Sequence, residues 1–214
     1  MALIETFHLS HLPSSYAVHA ALYRDVQNAS FLRQQLLSGN TEFEYAFLDA
    51  TSIISTMHAL AAAFRATNDF MNNRLRSRNV HSETVFCLSP NNNIADSFRR
   101  FGVNDTTTNL LVIKICTGGE ITTDGVRTHL SRAVDGAAVP FIDESLRSMT
   151  DLAKIKKIYK IGTSNNVGSA GKRNKSDISP TGSQMVLNGN QAELKERKEL
   201  EVAILGLMAL RGAT

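Results

Sequence analysis

Apolar and polar positions along this chain fall into blocks whose period changes from one block to the next. Residues 16–23 (YAVHAALY) carry apolar and aromatic side chains without a charge and predict a strand. Residues 29–37 place Phe31, Leu32, Leu36 and Leu37 in a helical stripe that Asn28 introduces and the Ser38-Gly39-Asn40 cluster ends. Residues 44–48 (EYAFL) predict a short strand, and Asp49 then caps a long helix over 51–75. Its expected buried stripe is Ile53, Met57, Leu60, Phe64, Met71 and Leu75, opposite a wet face of Arg65, Asn68, Asn72 and Arg76. The best-punctuated stretch is 82–102. There 84–88 (TVFCL) predicts a strand covered on both faces, and Pro90 ends it. One of Asn91, Asn92 and Asn93 caps a helix from Ile94 that carries Phe98 and Phe101 on one face and stops at Gly102. Residues 109–116 (NLLVIKIC) predict a further strand, so 84–116 has the look of a compact crossover onto one sheet.

Downstream, Val126, Leu130 and Val134 predict a helix over 123–134, and Asp143 begins a helical segment that runs to Tyr159 with Lys154, Lys156, Lys157 and Lys160 crowding its end. Residues 162–191 turn to Ser, Asn and Gly without an aromatic and are expected to form a disordered loop. A terminal helix over 192–213 is charged in its first half and apolar on every side from Val202 to Leu210. Such a helix must be covered all round, by its own domain or by that domain on one face and a partner on the other. These elements predict a mixed α/β domain: a small central sheet packed by helices, with residues 1–161 and 192–214 forming one unit around the 162–191 insertion.

Composition narrows the possibilities. A chain of 214 residues with 43% hydrophobic content builds a sizeable core, and a net charge of +3 permits nucleic acid without demanding it. Cys87 and Cys116 match no metal or redox spacing and read as small buried hydrophobes of a reducing compartment. The N-terminal MALIETFHLSHL has no basic n-region, and the apolar run 202–210 falls short of the roughly 20 residues a membrane span needs, so a soluble intracellular protein is expected. No nucleophile elbow or dinucleotide fingerprint is present, and Gly118-Gly119 lacks the Lys of a phosphate cradle. His8 and His11 have no thiolate or carboxylate at metal spacing, and adjacent Asp143 and Glu144 point apart on a helix. No metal or cofactor is expected. Arg74, Arg76 and Arg78 alternate in RLRSRN and read either as a solvated turn or, if extended, as three guanidiniums projected to one side as an anion contact.

The basic RLRSRN, the VFCLSP-NNNIADSFRRFGV run, the DLAKIKKIYKI segment and the terminal ELEVAILGLMALRGA together resemble the family of small PRPK-binding subunits of the KEOPS (EKC) complex. The resemblance implies a non-catalytic subunit that docks on the complex's atypical kinase/ATPase and meets its other subunits indirectly. It also implies help in bringing the acceptor 3′ end of tRNA to the subunit that makes threonylcarbamoyladenosine, in nucleus and cytoplasm. Carried onto this chain, the kinase-facing residues would be Ile204, Leu205, Leu207, Met208 and Leu210. The candidate RNA surface would be Arg74, Arg76 and Arg78 with the turn residues Ser89, Asn91 and Asn93. A protein adaptor that regulates the kinase without touching RNA is the alternative.

Overall fold

The computed structural model describes residues 1–118, 121–162 and 189–211, so most of the 162–191 insertion, including its basic 172–175 cluster, lies outside the described residues. Strands β1 (Glu5–Phe7), β2 (Val18–Arg24), β3 (Ala46–Asp49), β4 (Leu110–Ile115) and β5 (Ala137–Val139) form one antiparallel sheet. Its order is β1-β2-β4-β3, with β5 sharing the β1 edge of β2 further along the strand. Helices are α1 (Ala29–Leu37), α2 (Thr56–Met71), α3 (Val80–Cys87), α4 (Ile94–Phe101), α5 (Thr123–Ala133), α6 (Asp143–Met149), α7 (Leu152–Tyr159) and α8 (Gly189–Leu210). The result is a mixed α/β domain with a C-terminal helix.

Helices cover both faces of the sheet, which is why residues 20–23 of β2 and 110–113 of β4 read as apolar runs rather than alternating ones. One face carries Ala21, Tyr23, Phe47, Leu110 and Val112 against α1 and α5. The other carries Val18, Ala20, Leu22, Leu111 and Ile113 against a thicker layer of α2, α3, α6, α7 and α8.

The segment 84–88 is helical, not a strand, so no crossover is built there and Pro90 ends no ladder. Seven of the eight residues of α3 are buried, so it shows no polar stripe from which a 3.6-residue period can be read. Its helical signals are polar: Asn79 accepts from Ser82 N at the N-cap, and the Thr84 hydroxyl returns to Val80 O. The long helix also starts later, because Asp49 caps a 3-10 turn and Ser55 caps α2. On α2 the buried residues include Ala59, Ala62, Ala63 and Ala66, whose small side chains let α3 approach, while Met57, Phe64 and Met71 face outward. The 143–159 segment splits in two where Thr150 is extended and Asp151 caps α7. Cys87 therefore sits in α3 and Cys116 just beyond β4; both are free and buried.

Two buried histidines tie the layers together as neutral rings. His58 Nδ1 accepts from Ile54 N, which leaves its Nε2–H to Tyr159 Oη at 2.8 Å, and the tyrosine donates onward to Leu88 O. His81 Nε2 accepts from the β4 amide of Ile115 at 3.1 Å, and its Nδ1 has no hydrogen-bond partner among the described residues. Burial drives both imidazoles down to a pKa of about 3.

Candidate partner-docking helix and arginine-rimmed cleft

Helix α8 divides into two faces. Leu200, Ile204 and Met208, spaced four apart, enter the core at 4%, 0% and 4% exposure. Buried arginines pin the same face at mid-helix and at the C-terminal end. Arg197 donates to Ile54 O and Thr150 Oγ1 at 2.8 Å each. Arg211, just past the last turn, donates to Phe86 O and Ser89 O and lies 4.0 Å over the Phe86 ring. Helix α2 runs alongside in the same direction. Ser55 Oγ donates to Glu201 near one end, and Arg65 donates to the carbonyls of Met208 and Arg211 near the other.

The opposite face is apolar and uncovered. Val202 and Leu210 are 70% and 61% exposed, Leu207 stands beside them at 38%, and Gly206 and Ala209 are exposed between. Of the five residues assigned to a partner, Ile204 and Met208 thus pack on the domain itself, and Leu205 is partly buried against its core. Leu207 and Leu210 face out, and Val202 joins them. Met57, Phe64 and Met71 add a second exposed apolar stripe on the helix that α8 packs against. Apolar surface of this kind on a folded domain marks an interaction site.

The arginine lead-in is not an extended ribbon. Asn73 adopts a left-handed φ of 54°, and the buried carboxylate of Glu83 accepts from Arg76 N (3.0 Å), Ser77 N (2.8 Å) and Ser77 Oγ (2.6 Å). The three guanidiniums accordingly part company: Arg74 and Arg76 line one pit and Arg78 another cleft. Glu83 is the residue that sequence reasoning passed over, because a lone acid beside an arginine run looks like solvated charge. Glu83→Ala removes three hydrogen bonds and is expected to cost roughly 2–4 kcal/mol in urea denaturation, with the 74–79 loop losing protection from hydrogen exchange.

The turn residues spend their side chains on the turn. Ser89 is fully buried and exchanges hydrogen bonds with Asn91; Asn91 Nδ2 donates to Asp96 Oδ2 at 2.9 Å; and Asn93 caps α4 through Asp96 N. Hydrogen bonds from Arg99, Asn91 and Arg100 hold the Asp96 carboxyl well below the usual carboxylate range.

The larger cleft, about 530 Å³, opens against α4, which this turn introduces, and none of residues 89–93 lines it. Phe43, Tyr45, Phe47 and Phe98 supply aromatic walls, and Arg33, Arg78 and Arg99 stand among its lining residues. Arg33 is paired with Asp105 at 2.9 Å and Arg99 with Asp96, whereas Arg78 has no hydrogen-bond or ion-pair partner among the described residues. Gly39 makes room for it: at φ 72° a Cβ there would stand 2.9 Å from Arg78 Nη1. Tyr45 is fixed by His129 Nδ1 at 2.9 Å, with the Lys114 ammonium 4.8 Å from its ring centroid. Phe43, Tyr45 and Phe47 are buried in the wall and Phe98 is half-buried, so the ring open to a ligand is that of Phe98, and the guanidiniums beside it can bind phosphate. It contains no histidine or cysteine. Arg33, Arg99, Tyr45 and Phe98 were not legible as a set, since they come from segments far apart in sequence.

Comparison with known proteins agrees with a docking role. The family model described as "Kinase binding protein CGI-121" matches residues 23–212. The EKC/KEOPS complex subunit cgi121 of Aspergillus terreus is 53% identical over 211 residues, covering 99% of this chain and 98% of that protein. Its counterpart in Coccidioides immitis is 51% identical over the full length of both, and that of Schizosaccharomyces pombe 33% identical over 69% of this chain and 83% of its own. On these grounds the chain belongs to the CGI-121 family of kinase-binding proteins.

Proposed function

We propose that this protein is a non-catalytic subunit of the EKC/KEOPS complex. It docks on the complex's atypical kinase/ATPase through the outer face of α8 and meets the other subunits through that kinase. The observation that carries this reading is the uncovered apolar stretch of Val202, Leu207 and Leu210 on the part of the helix held between the Arg197 and Arg211 anchors, which presents a rigid surface. Its second role is to hold the acceptor 3′ end of tRNA for threonylcarbamoyladenosine synthesis, in nucleus and cytoplasm. The cleft supports this role, with Arg78 lacking a partner among the described residues and the half-buried Phe98 ring in the same lining. Within the earlier candidate set, Arg78 becomes the central RNA residue. Ser89, Asn91 and Asn93 shape the turn that leads into α4, whose Phe98 and Arg99 line the cleft.

The RNA half is tested with tRNA carrying or lacking its single-stranded 3′ end. Arg78→Glu combined with Arg33→Glu is expected to weaken binding of intact tRNA at least tenfold and to reduce the slope of log K against log salt by about two units. The truncated tRNA should discriminate little between variant and wild type. One observation favours the adaptor alternative without RNA: Arg33, Arg74 and Arg99 each already face a carboxylate of this chain. Unchanged tRNA affinity in the double variant would select that alternative.

A further inference from the structure

A second pit, of about 340 Å³, lies across the arginine lead-in from the cleft, between α2, α3 and the end of α8. Its charged lining is Arg65, Arg74, Arg76 and Arg211 against Asp69 and Glu83. The arginines are poorly matched to those two acids. Arg211 is only 7% exposed, and its hydrogen bonds go to Phe86 O, Ser89 O and the Cys87 thiol, all neutral acceptors. A guanidinium buried without a carboxylate partner is costly. Arg65 spends its donors on Met208 O and Arg211 O and reaches Asp69 only at 4.0 Å. Asp69 is shared with Arg74 at 3.4 Å, and one oxygen of Glu83 is committed to the loop amides.

Asp69, Glu83 and the Cys87 thiol gather closely enough to suggest a cation site. The surrounding charge argues otherwise. Four guanidiniums repel a cation, and burial pushes the Cys87 thiol up to about 12, so it is no thiolate ligand at neutral pH. The same four groups favour an oxyanion, for which arginine offers forked donors.

We propose that this pit is a binding site for a phosphate group and that its occupancy secures the C-terminal turn of α8. Arg65 and Arg211 belong to both structures: they line the pit, and they hold the end of the helix through its last carbonyls and the α3 terminus. An anion that neutralises them stabilises the seated helix, and by linkage a helix held in place by a partner binds the anion more tightly. The phosphate comes either from an RNA backbone or from a free small phosphate. The RNA source rests on the function proposed above, but the site itself does not.

The test uses the full chain and two probes, inorganic pyrophosphate and a short single-stranded oligoribonucleotide, each against chloride at matched ionic strength. With free probe about tenfold above its Kd, the melting temperature should rise by about 3 °C, and the amides of residues 204–211 should exchange more slowly. Arg74→Gln with Arg76→Gln should abolish both effects. These exposed side chains do not hold α8, so the double variant tests the site without dismantling the helix. Protection by pyrophosphate, lost in the variant, establishes the phosphate site and a free source; protection by the oligonucleotide alone establishes it with an RNA source. Absence of protection with both probes, or protection that persists in the variant, overturns the proposal. Oligonucleotide affinity of the Arg33→Glu/Arg78→Glu variant, measured in parallel, reports on the cleft separately.

Discussion

Val202→Glu together with Leu210→Glu should weaken the complex with the kinase subunit by more than about 30-fold, the equivalent of roughly 2 kcal/mol. Both side chains are mostly in water in the free protein, at 70% and 61% exposure, so the melting temperature should stay within a degree or two of wild type. The contrast is with the inner face. Ile204→Ala removes a fully buried side chain beneath the same helix and is expected to cost about 2–5 kcal/mol of stability. Any loss of binding there would follow from unseating α8 rather than from a missing contact. Pull-down with the kinase, paired with thermal melts, separates the two effects.

The second large effect is on acid stability. His58 and His81 titrate near pH 3 when folded and near 6.5 when unfolded, because burial disfavours the charged ring at both and the Lys114 ammonium adds to the effect at His81. The folded pKa is depressed, so the stability these rings contribute is complete above about pH 6.5 and is lost as pH falls towards 3. Each removes roughly 1.4 kcal/mol per pH unit in that window. Together they cost roughly 4 kcal/mol at pH 5, a large share of a typical domain's stability. Urea denaturation at pH 7 and pH 5 should show this loss, and His81→Gln, whose amide oxygen can still accept from Ile115, should halve it. A stability curve that is flat between pH 7 and 5 would contradict the neutral-ring assignment.

Local chemistry explains which elements the sequence reveals. Helix α1 appears at its expected bounds because Gly39, at φ 72°, stops it, and β2 and β4 because a sheet covered on both faces tolerates uninterrupted Val, Leu and Ile. The same rule misleads at α3, where a buried helix of eight residues presents the apolar run of a buried strand. On α2 the large apolar residues suggest the core face, but the alanines occupy it and leave Met57, Phe64 and Met71 outside. Strands β1 and β5, three residues each, are too short to show a pattern and exist because β2 offers them an edge. The all-apolar end of α8 did announce that both its faces need cover; only the structure shows that 204 and 208 turn inward while 202 and 210 turn out. The cleft was the least legible, since Arg33, Arg78 and Arg99 converge from three separate helix or loop segments.

The proposed docking of the outer face of α8 on the kinase can be tested directly by placing a photo-reactive side chain at single positions and irradiating the mixture with the kinase subunit. Adducts are expected from positions 202, 206 and 210 and none from 204 or 208, which the domain itself covers. Adducts from none of the outward positions, with the kinase still bound, would contradict the assignment of this helix as the docking surface.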